Sequence, residues 1–248
     1  MGSSPKKPLI VIPARMASSR LPGKPLADIA GLPMIVQVMR RAEEADIGPV
    51  LVACAEEEIA ETIRAAGGTA LITRADHPSG SDRVFEAVEA FDPNGAYDAI
   101  VNLQGDLPAL NPSAIEAVFQ PLQNVAVDIA TLVAEITDDE ELDDENAVKA
   151  VVSLAEGESV GRALWFSRLK SPWWSGPYYH HIGLYAYRRE ALARFVTLPP
   201  APLEQRERLE QLRALENGMR IDAAVVDTVP LGVDTPEDLA RVRRMFVS

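Results

Sequence analysis

Apolar and polar positions fall into two kinds of block along the first half of the chain. Short continuous apolar runs, Leu9–Pro13, Val50–Cys54, Thr69–Thr73 and Ala99–Leu103, read as buried strands. Between them lie stretches with helical spacing. Met34–Glu44 puts Met34, Ile35, Val38, Met39 and Ala42 on one stripe, and Ser81–Phe91 does so with Val84, Phe85, Val88 and Phe91. Glu56–Ala66 is a helix stopped by Gly67-Gly68, and Asn111–Leu122 carries Pro112 in its first turn. This alternation predicts an α/β fold, a mainly parallel sheet flanked by helices on both faces.

The second half is less regular. Asp128–Ile136 and Ala147–Leu154 have strand character, and the acidic stretch Asp138–Glu145 between them reads as a solvated connection. His180–Arg188 alternates, with His181, Gly183, Tyr185 and Tyr187 on one side and Ile182, Leu184 and Ala186 on the other. Ala191–Val196 is a short helix and Pro202–Asn217 a longer one ended by Gly218. Ile221–Asp227 is a further strand. Thr235–Phe246 is a final amphipathic helix, with Thr235 as its cap, Pro236 in its first position and acids at its positive end.

Net charge is −13 over 248 residues, which argues against a nucleic-acid partner, since that affinity comes from neutralising phosphates. A local basic pocket remains compatible with it. The single cysteine, Cys54, excludes an internal disulfide and a cysteine-based zinc site, and its apolar run marks it as an inert strand residue. No apolar span approaches membrane-crossing length, and Met1–Lys7 lacks the apolar core of a secretory signal. The expectation is a cytoplasmic protein without a membrane partner.

Candidate chemistry begins where the first strand ends. The loop after it carries Arg15, Arg20 and Lys24, stiffened by Pro22 and Pro25. Three cations at the carboxyl end of a strand suit a polyphosphate. Neither G-x-x-x-x-G-K-[ST] nor G-x-G-x-x-G is present, so a P-loop NTPase and a dinucleotide dehydrogenase are disfavoured. Gln104-Gly105-Asp106 follows the central strand, and Asp106 is either a turn aspartate or a ligand holding Mg²⁺ against phosphates. Asp234 precedes the last helix and is either a helix-entry carboxylate or a second metal ligand. In Thr73–Arg83, Ser81 is a candidate N-cap and backbone groups can read a base edge. Ser167-Arg168, His180-His181, Tyr185, Tyr187 and Glu210-Gln211 form a polar and aromatic set, with Arg168 suited to a substrate carboxylate.

These residues resemble a known family. Val11-Ile12-Pro13-Ala14-Arg15, then Ser19-Arg20-Leu21-Pro22-Gly23-Lys24-Pro25-Leu26, is similar to the opening of 3-deoxy-manno-octulosonate (Kdo) cytidylyltransferases. Further similar blocks follow in order: Thr73–His77, Asn102–Asp106, Phe166–Arg168, His181–Arg188, Pro202–Arg213 and Gly232–Leu239. The resemblance implies a nucleotide-diphospho-sugar transferase (Rossmann-like) fold over residues 9–248 as one nucleotidyltransferase domain. The resemblance also implies a sugar-binding and dimerisation subregion around 128–215. It implies a homodimer that joins CTP and Kdo into CMP-Kdo and pyrophosphate for lipopolysaccharide biosynthesis. A related sugar acid, amino-Kdo or sialic acid, is the alternative. Implied nucleotide contacts are Ala14, Arg15, Arg20, Lys24, Arg74, Ala75, Ser81 and Gln104. Asp106 and Asp234 would bind Mg²⁺ and, with Lys24 and Arg15, carry the catalysis. Arg168, His181, Tyr185, Glu210 and Gln211 would face the sugar. The chain departs from the family at Leu107, where many members have Glu, and at Cys54-Ala55-Glu56, where many have Thr-Asp. The segment between Arg168 and His181, with Trp173-Trp174, is short.

Overall fold

A computed structural model describes residues 4–18, 20–173 and 176–246. The chain forms two compact units, one of Lys6–Ile115 with the segment from Pro230 onward, the other mainly of Glu116–Val229.

The first unit is built around β1 (Pro8–Ala14), where Leu9, Ile10, Val11 and Ile12 are wholly buried. Each such side chain stabilises the fold by about 1.5–3 kcal/mol on leaving water, which is why this run is a central strand. A two-stranded ribbon follows, β2 (Asp28–Ile29) and β3 (Leu32–Pro33), turning through Ala30 and Gly31 at positive φ. Then come α1 (Met34–Glu44), β4 (Val50–Cys54), α2 (Glu57–Ala65), β5 (Thr69–Ile72), α3 (Gly80–Phe91), β6 (Ala99–Asn102) and α4 (Pro112–Phe119). The strands run in the order β5-β4-β1-β6 and every one of these pairs is parallel, as the alternation predicts. All five residues of the predicted α1 stripe are buried. Gly68 lets α2 and β5 close up against α1, because a Cβ there would lie 2.1 Å from Met39 Sδ.

The second unit is mainly antiparallel. Its centre is β7 (Ile129–Glu135), whose first six residues are buried. It continues through α5 (Asp139–Asp143), β8 (Lys149–Ser153), β9 (Val160–Ser167), β10 (Tyr179–Arg188), α6 (Arg189–Thr197), α7 (Pro202–Glu207), α8 (Gln211–Glu216) and β11 (Ile221–Val226). The order is β10-β7-β11-β9-β8, with β7–β11 parallel, and β10 also pairs β8 at Tyr179 and His180. The final helix, α9 (Pro236–Met245), returns to the first unit, where Leu239 and Val242 pack with Ile29, Met34 and Val233.

Four sequence expectations need correction. The cap of α3 is Ser79, whose oxygen accepts from Asp82 N at 3.2 Å, and Ser81 is instead buried inside the first turn. Asp138–Glu145 contains the short helix α5, capped by Asp138 through Glu140 N at 3.0 Å. The expected helix Pro202–Asn217 is two helices, broken where Arg208 takes a left-handed φ of 57°. Strand β9 is an unforeseen element. It alternates buried and exposed positions only from Gly161 to Leu164, too short a pattern to stand out.

Candidate active site

The cationic loop leaves β1 and makes a 3₁₀ turn at Lys24–Leu26, entered through Gly23 at φ 70°, a left-handed conformation suited to glycine. The turn directs Lys24 inward. Its ammonium donates to Asp106 Oδ2 at 2.8 Å and to Asp234 Oδ1 at 3.0 Å. These partners lie 82 and 210 residues away in sequence. Arg20 reaches the other oxygen of Asp234 at 3.0 Å. Burial pulls the Lys24 pKa down, but the charge and hydrogen bond of Asp106, and then those of Asp234, outweigh it and hold the ammonium above the usual lysine range.

Each acid has its own support. Asp106 follows β6, and its carbonyl accepts Val233 N–H at 2.9 Å, tying the two acidic segments together. Gly105 is required here, since a Cβ would come within 2.9 Å of Pro13 O. Asp234 is oriented by the cap of α9: Asp238 Oδ2 accepts the N–H groups of Asp234 at 3.1 Å and Thr235 at 2.9 Å. The basic loop is anchored by Glu56, whose Oε2 accepts Met16 N–H at 3.0 Å. In the sequence Glu56 shows only as the first residue of a helix and as a departure from the family pattern.

A cavity of about 370 Å³ opens over this cluster. Ala14, Arg15, Arg20, Lys24, Gln104 and Asp106 all line it, as do His77, Ser79, Gly80 and Arg83. Of the other expected nucleotide contacts, Arg74, Ala75 and Ser81 are not on this wall. Arg74 and Ala75 are exposed and Ser81 is buried. Arg83 and His77 lie in the stretch expected to face the base, but their side chains were not singled out; their signal is burial of polar side chains, which sequence does not display.

The expected sugar-side residues lie in the other unit. His181 and Tyr185 share a face of β10, their rings 5.5 Å apart, with Phe166 4.8 Å from His181. Thr131 Oγ1 lies 3.0 Å from His181 Nε2 and also donates toward the carbonyls of Ile182 and Leu184, bridging the irregular stretch of β10. Burial first, and then the charge of His180, push the His181 pKa down to about 3, so the ring is neutral at pH 7. Burial first, then Tyr187 and Glu210, hold the Tyr185 phenol well above its ordinary range. Arg168 lies just beyond β9 and donates to the carbonyls of Glu207 at 3.0 Å and Glu145 at 2.9 Å. Glu210 sits at the N-terminal boundary of α8 without a side-chain capping bond, and its Oε1 stands 3.7 Å from Arg213 Nη2. Gln211 is 6% exposed, and its Nε2 has no partner among the described residues. Trp174 lies outside the described residues, while Trp173 is exposed.

Cys54 is buried and burial raises its thiol to about 11, the inert residue expected. No helix among the described residues is long and apolar enough to cross a membrane.

A parallel sheet flanked by helices, with a cationic loop after its first strand and two acids meeting that loop, is the α/β architecture of the nucleotide-diphospho-sugar transferase fold, that of nucleotidyltransferases. The cytidylyltransferase family model matches residues 9–221. A 3-deoxy-manno-octulosonate cytidylyltransferase of Rhodospirillum centenum is 64% identical over 246 residues, 99% of this chain and 96% of that one. One from Rhodospirillum rubrum is 65% identical over 240 residues, covering 96% and 95%. The solved structure of CMP:2-keto-3-deoxy-manno-octonic acid synthetase complexed with CTP superposes with a TM-score of 0.89 at 39% identity, covering 97% of this chain and 98% of that one. A nucleotidyl transferase from Methanothermobacter thermautotroptrophicus, 15% identical, shares the fold, with a TM-score of 0.63 and 97% and 98% covered. The chain belongs to the cytidylyltransferases, and within them to the 3-deoxy-manno-octulosonate cytidylyltransferase family.

Proposed function

We propose that this enzyme transfers the cytidylyl group of CTP to Kdo, giving CMP-Kdo and pyrophosphate for lipopolysaccharide biosynthesis in the cytoplasm. The observation that carries the reading is the meeting of Lys24 with Asp106 and Asp234 beside a cavity lined by Arg15 and Arg20. The names of the full-length relatives supply the substrates. In this reading Arg15, Arg20 and Lys24 hold the triphosphate, and Ala14 and Gln104 line the nucleoside end. The anomeric hydroxyl of Kdo attacks the α-phosphorus in line. The new O–P bond forms as the bond to pyrophosphate breaks, the hydroxyl proton is released to solvent, and Lys24 and Arg15 balance the charge that leaves.

Mg²⁺ fits the two acids. Asp106 and Asp234 present hard oxygens toward one point, and Lys24 already sits there as a cation. Among the described residues no cluster of three or more His, Cys, Asp or Glu forms a protein-only metal cage. Two carboxylates completed by substrate phosphates are the usual arrangement for this ion. When bound, Mg²⁺ neutralises phosphate charge. Arg168, His181, Tyr185, Glu210 and Gln211 are proposed to face the sugar acid. The buried, unpartnered Nε2 of Gln211 supports this, because a donor in that state is costly until a ligand satisfies it. The homodimer is proposed too, supported by exposed Leu164 and Leu169 within the 128–215 subregion.

Pyrophosphate release with CTP and Kdo, sialic acid or amino-Kdo, with and without Mg²⁺, tests the reading. Turnover is expected with Kdo and Mg²⁺ together. Preference for another acid would overturn the sugar assignment, and undiminished turnover in EDTA would overturn the metal.

A further inference from the structure

The phosphate cations see what every nucleoside triphosphate carries, so they do not distinguish bases. Selection must come from polar groups elsewhere on the cavity wall. Residues 73–80 bring His77, Ser79 and Gly80 to that wall, and two side chains of α3 hold their backbone. Arg83, 3% exposed, donates from Nη1 to Thr73 Oγ1 at 2.6 Å and to Arg74 O at 3.0 Å. Glu86 accepts Arg74 N–H on Oε1 at 3.2 Å and the Nε2 of His77 on Oε2. Both peptide groups of Arg74 are thus gripped from one helix. Thr73 is tied on its other side to Cys54 O, its N–H at 2.9 Å. With Glu86 on Nε2, the buried His77 ring has one orientation, and its Nδ1 has no partner among the described residues.

We propose that Glu86 is the positioning residue for base selection. By fixing the Arg74 backbone behind the wall and the His77 ring on it, Glu86 keeps the 73–80 segment in the arrangement that matches a cytosine edge, without touching the nucleotide. This rests on the reading of the cavity as the CTP site. Uracil presents an N–H and a carbonyl where cytosine presents a ring acceptor and an amine. A loop fixed for cytosine therefore leaves like groups facing each other when uracil enters, and buried polar groups without partners are what make such sites selective. Once the loop loses its two anchors on Glu86, it relaxes around either base.

The experiment measures kcat/KM for CTP and for UTP with Kdo as acceptor, together with CTP binding by calorimetry and melting temperature. It uses wild type, Glu86→Ala, Glu86→Gln and Arg83→Met. Glu86→Ala is expected to lower the CTP-to-UTP ratio about tenfold, with kcat for CTP kept within about threefold. Glu86→Gln, which still accepts from Arg74 N–H, is expected to recover most of the ratio, and Arg83→Met to lower it. An unchanged ratio in folded Glu86→Ala overturns the proposal, as does an equal loss of kcat with both nucleotides. Should Glu86→Ala not fold, an unchanged ratio in Arg83→Met overturns it and a lowered one supports it. Failure of the wild type to bind CTP overturns the reading of the cavity instead, and is seen before any variant is made.

Discussion

The site of the first unit and the aromatic strand of the second solve opposite problems. Around Lys24 the groups are charged, half-exposed and paired: side-chain exposure is 29% at Asp106 and 48% at Asp234. Around His181 and Tyr185 the groups are neutral, with His181 buried and Tyr185 half-buried, and the Thr131 hydroxyl orients the His181 ring. Charge near water can be exchanged for a ligand's charge at little cost, because solvent screens the free state. A buried neutral ring holds a fixed shape and selects by fit. Under the proposed function, the first region suits transferable phosphate and the second suits recognition.

The largest expected effect is on the charged side. Asp106→Asn and Asp234→Asn should each lower pyrophosphate release about a thousandfold, since each removes a charge facing the reacting phosphates. Near-normal rates in either would dissolve the distinction between the regions. Next, Gln211→Ala and Tyr185→Phe should raise KM for Kdo about tenfold with KM for CTP unchanged, the loss expected of one buried hydrogen bond. A shift in the CTP constant instead would mean that the aromatic region does not serve the sugar.

The pH response sharpens the contrast. The folded-state pKa of His181, about 3, lies below its ordinary 6.5, so the unfolded chain takes up a proton that the folded one refuses. Stability should therefore fall as pH drops from about 6.5 toward 3, by up to about 1.4 kcal/mol per pH unit from this group. His181→Gln should flatten that part of a denaturation profile, and an unaltered slope would show that the ring is not held neutral. The smallest effect belongs to the cap behind Asp234. Thr235→Ala should cost about 1 kcal/mol, read as a small drop in melting temperature.

Much of this was legible in particular residues. The runs at Leu9 and Ala99 are apolar on both faces, and only a central parallel strand buries both. The cluster Arg15, Arg20 and Lys24 stood out because a short loop after such a strand has few reasons to be so basic. Other features carried no local mark. Arg208 breaks a helix at a residue type that gives no warning, and Ser79 displaced Ser81 as cap although both have the same hydroxyl. Glu86 looks like any exposed helical glutamate until its two hydrogen bonds are seen.

The sequence by itself determined the strand and helix types of the first unit and the chemical character of its loop, because burial period, proline, glycine and charge are local properties. Only the tertiary structure decided that Lys24 meets Asp234 across 210 residues, that Glu86 grips Arg74, and that His181 stays neutral. Each of these depends on distance or on exclusion of water, and neither exists until the chain has folded.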